Sequence, residues 1–329
     1  MTPSSPLRIG ILGAAKVAWY AVILPAWFVP EVQITSIAAR DPKRAKRFAR
    51  LYRIPRVHQT YDDLLADPEI DAVYNPLPNG LHAEWTIKAL RAGKHVLCEK
   101  PFAANANEAM QMAQAAQESG KVLSEAFAYR NHPLAARMKD IVTNELGAIK
   151  NIEARFCFML LNPSNVRWRY DLAGGALMDA GCYPLSMVRF LMGEEPKVVS
   201  ASTKLARPQV DSRTEAWLKL SSGADVHIIC DMLSPRMFDS FLRVKGELGE
   251  MKVISPFQPS WFHWLSVRTE KISWRGRLRG KNMYAQQLRN FARAIREGTP
   301  LSTNAEDAVN NMRLIDSIYE AAGLPLRGT

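Results

Sequence analysis

The sequence predicts an α/β N-terminal domain with a doubly wound parallel sheet. An α+β C-terminal domain with a large, mainly antiparallel open sheet follows it. Three observations carry this. Short apolar runs alternate with helix-length segments through residues 7–126. The first run, L-R-I-G-I-L-G-A-A-K-V-A at Leu7–Ala18, passes through small residues into a helix. After Phe127 the pattern changes to long period-two strands joined by short turns such as Ser221-Ser222-Gly223. The expected domains are 1–126 and 127–329.

Leu7–Ala18 reads as the start of a dinucleotide-binding, Rossmann-type β-α-β unit. Gly10 lies inside the strand, and Gly13, Ala15 and Ala18 hold the three fingerprint positions. The second is usually Gly, so Ala15 is a departure that puts a Cβ where backbone and pyrophosphate approach. A helix is predicted over Val17–Phe28, bent at Pro25, and a second strand over Glu31–Ala39. An acid ending that strand would bind ribose hydroxyls; here Ala38, Ala39 and Arg40 stand there, and a guanidinium suits a 2′-phosphate. Asp41 is placed to cap the next helix, Lys43–Tyr52. Asp71–Asn75 is a buried strand running into P-L-P-N-G-L-H, which puts Asn75, Pro76 and Asn79 at the carboxyl-end crevice and His82 at a helix start. Val96–Cys98 is a strand ending in Glu99-Lys100-Pro101, with Lys100 facing the crevice. A helix over Asn107–Glu118 and a strand over Lys121–Ala126 complete the domain.

In the second domain a helix is expected over Pro133–Thr143. Strands are expected over Ile149–Phe158, Lys197–Thr203, Asp211–Leu220, Ala224–Ser234, Asp239–Gly246, Gly249–Ile254 and Phe262–Val267. Two helices, Tyr284–Glu297 and Thr303–Ala321, close it. One broad sheet face could serve a homodimer or homotetramer. In Trp168–Leu185, W-R-Y-D-L-A-G-G-A-L-M-D-A-G-C-Y-P-L, Gly174 and Gly175 allow close approach. A helix then places Asp179 and Tyr183, four apart, on one face. A carboxylate and a phenol aimed at a crevice can handle a hydroxyl or carbonyl, with Lys100 as the cation that eases proton transfer. A packing Tyr beside a solvent Asp is the plainer alternative.

The formal charge of +11 favours an anionic ligand. Its densest stretch, Lys271–Lys281, reads as a solvated strand and loop, and nucleic-acid contact is disfavoured. Cysteines 98, 157, 182 and 230 lack CxxC spacing, which suits buried thiols in a reducing compartment. No apolar window reaches the ~18 residues of a membrane span. The opening M-T-P-S-S-P-L-R lacks an apolar leader core, so a cytoplasmic enzyme is expected. No compact histidine motif points to a metal, and P-loop and G-x-S-x-G patterns are absent.

The chain resembles the glucose–fructose oxidoreductase / inositol dehydrogenase (Gfo/Idh/MocA) family along nearly its whole length. The resemblance rests on I-L-G-A-A, A-A-R-D-P-K-R-A, Y-N-P-L-P-N-G-L-H, G-K-H-V-L-C-E-K-P, E-A-F-A-Y-R-N-H-P, G-G-A-L-M-D-A-G-C-Y-P and Y-A-Q-Q-L-R-N-F. It implies a catalytic, cofactor-side Lys100 and a substrate-binding Asp179. Many members carry His as proton carrier where this chain has Tyr183. That departure points away from the inositol dehydrogenase branch and towards NADP-dependent D-xylose and dihydrodiol dehydrogenases.

The resemblance implies hydride transfer between nicotinamide C4 and the hydroxyl or carbonyl carbon of a sugar or cyclic diol. Tyr183 carries the proton, helped by Lys100, while Asp179, Tyr129, Arg130 and Tyr183 face the substrate. The cofactor side comprises Gly13, Ala14, Ala15, Lys16, Val17, Arg40, Asn75, Pro76, Leu77, Asn79, His82, Glu99, Lys100 and Arg169. NADP(H) is preferred, with NAD(H) an open alternative and no metal. Two other readings stand beside this one: a non-catalytic dinucleotide-binding regulator or scaffold, and a member whose tightly held cofactor is recycled in a different sugar reaction.

Overall fold

The computed structural model describes residues 5–328. Residues 1–4, read above for a leader, and Thr329 lie outside the described residues. The expected fold class holds in both parts of the chain.

Six strands form the first sheet: β1 (Leu7–Leu12), β2 (Val32–Ala38), β3 (Arg56–Val57), β4 (Ala72–Asn75), β5 (His95–Cys98) and β6 (Leu123–Glu125). They pair in parallel in the order β3-β2-β1-β4-β5-β6. The order reverses between β1 and β4, so the carboxyl ends of those strands open the crevice where such sheets bind ligands. Every residue of β4 is buried, as in a strand covered on both faces.

Gly13 leaves β1 with φ +95°, and its N–H donates to the Ala38 carbonyl at 2.7 Å. A Cβ there would lie 2.9 Å from a Leu77 methyl, so glycine is required twice over. Ala15 has φ −86° and ψ 140°, a region open to any L-residue. The departure at the second fingerprint position therefore costs the turn nothing.

The first helix differs from its expected form. Lys16–Ala18 is α, Trp19–Ile23 is a π-turn, and Leu24–Ala26 resumes α. Pro25 has no N–H to give the Ala21 carbonyl, and the ladder widens one turn upstream.

Eight strands form the second sheet: β7 (Ile149–Met159), β8 (Lys197–Arg207), β9 (Val210–Lys219), β10 (Asp225–Asp231), β11 (Leu233–Gly246), β12 (Gly249–Ile254), β13 (Trp264–Thr269) and β14 (Ser273–Gly276). Their order is β14-β13-β12-β11-β7-β10-β9-β8, with β7 and β10 parallel and the other neighbours antiparallel. Alternation along the strands buries Ala154, Phe156, Ile228, Leu242, Val253 and Val267 on one face. The helix Cys182–Met192 packs there, and Pro133–Asn144 packs on that helix. The opposite face carries partly exposed polar pairs, among them the ion pairs Arg155–Asp239 at 3.1 Å and Arg243–Glu250 at 2.8 Å and the hydrogen bond His227–Glu215 at 2.8 Å.

A single division after residue 126 does not describe the compact units. Residues 5–131 gather with 282–309, and His132–Lys281 with 310–328. The helix Met283–Glu297 returns to the first unit because its apolar stripe, Ala285, Leu288, Phe291 and Ala292, joins the core built around β1 and β2. Amphipathicity showed that this helix has a buried face but not which sheet covers it. The division falls within the last helix, Ala305–Ala321.

Candidate active site

In the first unit the organising point is the end of β5. Glu99 accepts the Tyr74 hydroxyl at 2.6 Å and the Lys100 backbone N–H at 3.3 Å. Burial holds the Tyr74 phenol well above its ordinary pKa, and the Glu99 charge adds to this, so Tyr74 remains a donor. Lys100 is partly buried, and the bond to Pro101 is cis.

His82, expected on the cofactor side, is turned into the interior. It is buried, and its Nδ1 and Nε2 lie 2.8 and 2.7 Å from the Pro101 and Leu77 carbonyl oxygens. Burial lowers its pKa to about 4, against the opposing pull of those two carbonyls. Neutral, the ring carries one N–H, so it donates to one of these carbonyls and packs against the other. The Asn75 side chain is likewise taken up inside. Its amide donates to His82 O at 3.2 Å and Thr86 Oγ1 at 3.1 Å, and its oxygen accepts the Leu77 N–H at 3.3 Å. Pro76 and Leu77 are buried, while Asn79 is partly exposed.

Around the first turn, Lys16 and Arg40 are exposed, Ala14 is buried and Val17 packs against the core. Arg40 donates its N–H to the Tyr61 hydroxyl at 3.3 Å. Asp41 caps the helix Pro42–Tyr52 by accepting the Lys43 N–H at 2.9 Å, leaving no acid free at the end of β2. Arg44, missed in the sequence, donates Nη2 to the Ala14 carbonyl at 2.9 Å. Its position one helical turn beyond Asp41 was the available signal. A turn flanked by Lys16, Arg40 and Arg44, with its glycine at positive φ, fits a phosphorylated dinucleotide.

Tyr129 and Arg130 depart from their expected substrate role. Tyr129 is 1% exposed. The Arg130 guanidinium is buried, lies 2.9 Å from the Asp307 carboxylate and donates to the Ser302 carbonyl at 2.8 Å. These bonds brace the first unit internally.

In the second unit the site element begins as a π-turn over Leu177–Gly181 and becomes α-helical over Cys182–Met192, where a plain helix was expected. Pro184 cannot donate to the Ala180 carbonyl, the same cause as at Pro25. Asp179 and Tyr183 still follow one another along this element. Asp179 is 8% exposed. The partly exposed Tyr183 packs its ring on Phe156 and Phe257, centroids 5.2 and 5.7 Å away.

Arg167, absent from the expected site, has Nε 2.7 Å from Asp179 Oδ2. It sits in the turn Val166–Trp168, whose start is capped by Asn165 accepting the Arg167 N–H at 3.1 Å. Arg169, expected on the cofactor, is instead exposed and paired with Asp171. An acid two residues on was the signal that Arg169 is satisfied locally and that Arg167 is the arginine to follow.

The chain matches the model of the oxidoreductase family with an NAD-binding Rossmann fold over residues 7–127, and that of the GFO/IDH/MocA C-terminal domain over residues 135–252. The chain belongs to the Gfo/Idh/MocA oxidoreductase family. Members of known activity resemble it end to end. The D-xylose 1-dehydrogenase (NADP(+)) 2 of Haloferax volcanii is 36% identical over 96% of this chain and 97% of its own. The dTDP-3,4-didehydro-2,6-dideoxy-alpha-D-glucose 3-reductase of Saccharopolyspora spinosa is 31% identical over 96% and 97%. Among solved structures, a 3-ketoreductase from Actinomadura kijaniata in complex with NADP and TDP-benzene superposes with TM-score 0.89 at 29% identity, covering 96% of this chain and 98% of that one. This Gfo/Idh/MocA chain is an NAD(P)-dependent oxidoreductase. Among the described residues no helix is long and apolar enough to cross a membrane, and no group of three His, Cys, Asp or Glu is placed to hold a metal ion.

Proposed function

We propose that the chain is an NADP(H)-preferring dehydrogenase or reductase of a sugar CH–OH group, with Tyr183 as proton carrier, Lys100 as its cationic partner and Asp179 as the group that holds the substrate hydroxyls. The observation that carries this reading is the succession Arg167–Asp179–Tyr183 in one turn and helix. A cation orients the carboxylate, and a phenol follows one turn later. Bound nicotinamide supplies or accepts the hydride at C4. In oxidation Tyr183 takes the proton from the substrate hydroxyl as the carbon loses hydride; in reduction it returns that proton to the developing alkoxide. Lys100 acts electrostatically, favouring the phenolate and the alkoxide over their neutral forms. Asp179 accepts hydrogen bonds from neighbouring hydroxyls and fixes which carbon is presented. Arg40, with Arg44 behind it, pairs with the 2′-phosphate, while the neighbouring Asp41 carboxylate is engaged as the cap of the next helix.

The relatives support a sugar substrate, free as for the xylose dehydrogenase or nucleotide-linked as for the 3-reductase. We assign homodimer formation to the second sheet's open face, where Trp217, stacked on His227, is 40% exposed. The four cysteines are buried thiols, which suits a reducing cytoplasm. The test is a panel of aldoses, inositols, dihydrodiols and keto-sugars with NADP(H) and NAD(H), followed by nicotinamide absorbance. Turnover of a sugar with NADP(H) favoured supports the reading. No turnover across the panel, or equal use of both cofactors, contradicts it.

A further inference from the structure

Beyond the last helix, Arg327 is completely buried together with Asp211, at the start of β9. Its Nη2 donates to Asp211 Oδ1 at 3.0 Å and its Nε to the Gly174 carbonyl at 2.9 Å. The guanidinium carbon lies 4.1 Å from the centroid of the Tyr319 ring. Asp211 is equally committed. It also accepts the Tyr319 hydroxyl at 3.0 Å, the Thr214 hydroxyl at 2.8 Å and the Leu177 backbone N–H at 2.7 Å. The last bond reaches the first residue of the π-turn that carries Asp179.

The bond to Gly174 leads to the other half of the site. Gly174 and Gly175 donate their N–H groups to the Arg169 and Arg167 carbonyls at 2.8 and 3.0 Å. Side chains are excluded from both positions. A Cβ on Gly174 would stand 2.4 Å from the Arg167 carbonyl oxygen, and one on Gly175 2.2 Å from Asp211 Oδ1. Arg327 thus grips, through one planar fork, the segment under Arg167 and the carboxylate that holds the start of the Asp179 turn. A buried ion pair gives little stability over an apolar pair of the same volume, whereas its bonds are directional.

We propose that Arg327 is a positioning residue for substrate binding, setting the Arg167–Asp179 pair through Asp211 and the Gly174–Gly175 segment; this rests on the oxidoreductase reading above. Lysine keeps the charge but lacks the fork, so Arg327→Lys separates holding the fold from setting the pair. The experiment measures Tm, NADPH Kd, and KM and kcat for the best sugar, in wild type and Arg327→Lys. Expected are an unchanged NADPH Kd and a KM raised about 10-fold or more, since a misplacement near 1 Å costs that much. KM and kcat like wild type, or activity falling only with the folded fraction at constant KM, would overturn the proposal. Should Arg327→Lys not fold, Tyr319→Phe removes one bond to the same carboxylate. It should raise KM roughly 3-fold, the worth of a single modest hydrogen bond, and an unchanged KM overturns the proposal equally. A wild type that turns over no sugar brings down the sugar reading and this inference with it. An active wild type with an indifferent variant brings down the inference alone.

Discussion

Arg167 Nε lies 2.7 Å from Asp179 Oδ2, joining a turn before the glycine pair to the element after it. The Asp179 side chain is 10% exposed and the Arg167 side chain 40%, although Arg167 Nε itself is buried against the carboxylate. Removing the cation leaves Asp179 unoriented in a poorly hydrated site. Arg167→Ala should raise the sugar KM by about 5-fold, the upper worth of an ion pair open to solvent on one side. NADPH Kd should not change. A KM equal to wild type would show that the pair plays no part in holding substrate.

The end of β2 sets cofactor choice. Arg40→Ala should weaken NADPH by roughly 10-fold or more and leave NADH nearly untouched, because only NADPH carries the 2′-phosphate. Titration of both cofactors by fluorescence gives the ratio. A preference that does not move with the substitution rules out this role for Arg40.

Much of this was legible because it depends on periodicity. The six parallel strands and most second-domain strands follow from apolar runs and alternation, and Gly13, Arg40, Lys100, Asp179 and Tyr183 stand at strand ends or helix starts that those runs define. Other features depend on distant partners. Nothing near Arg130 in the sequence announces Asp307, and nothing near His82 announces Pro101. Arg167 and Arg169 are alike in sequence, and only the turn Val166–Trp168 sends one to Asp179 and the other to Asp171. The helix Met283–Glu297 shows a clear apolar face, but its place in the first unit's core needs the tertiary fold.

Three histidines, His82, His95 and His132, give stability a pH dependence, and the last two also accept backbone N–H groups. Val122 donates its N–H to His95 Nδ1 at 2.9 Å, and Leu134 its N–H to His132 Nδ1 at 3.1 Å, so both rings must stay unprotonated there. Burial, with the Lys121 charge second, lowers His95 to about 4, and burial, with His263 second, lowers His132 to about 4. Unfolded histidine titrates near 6.5, so the unfolded chain binds more protons between these values. This share of stability is fully present above about 6.5 and is lost as pH falls towards 4. Urea midpoints should drop across that window, and His132→Asn, which keeps the helix cap, should flatten the drop. A variant with the wild-type pH slope contradicts the assignment.

Gly181 ends the π-turn against β10, where a Cβ would lie 2.7 Å from Leu177 Cδ1 and 3.0 Å from Cys230 Sγ. Gly181→Ala should cost about 1–3 kcal/mol through overpacking. The urea midpoint reads this directly, and an unshifted midpoint would mean that the turn has room the structure does not show.

The most direct test of the central claim is Tyr183→Phe, which removes one hydroxyl and keeps the ring between Phe156 and Phe257. If Tyr183 carries the proton, kcat for the sugar falls by about 10²–10⁴-fold while NADPH Kd stays at the wild-type value. A kcat within a few-fold of wild type, or equal losses in turnover and NADPH binding, would contradict it.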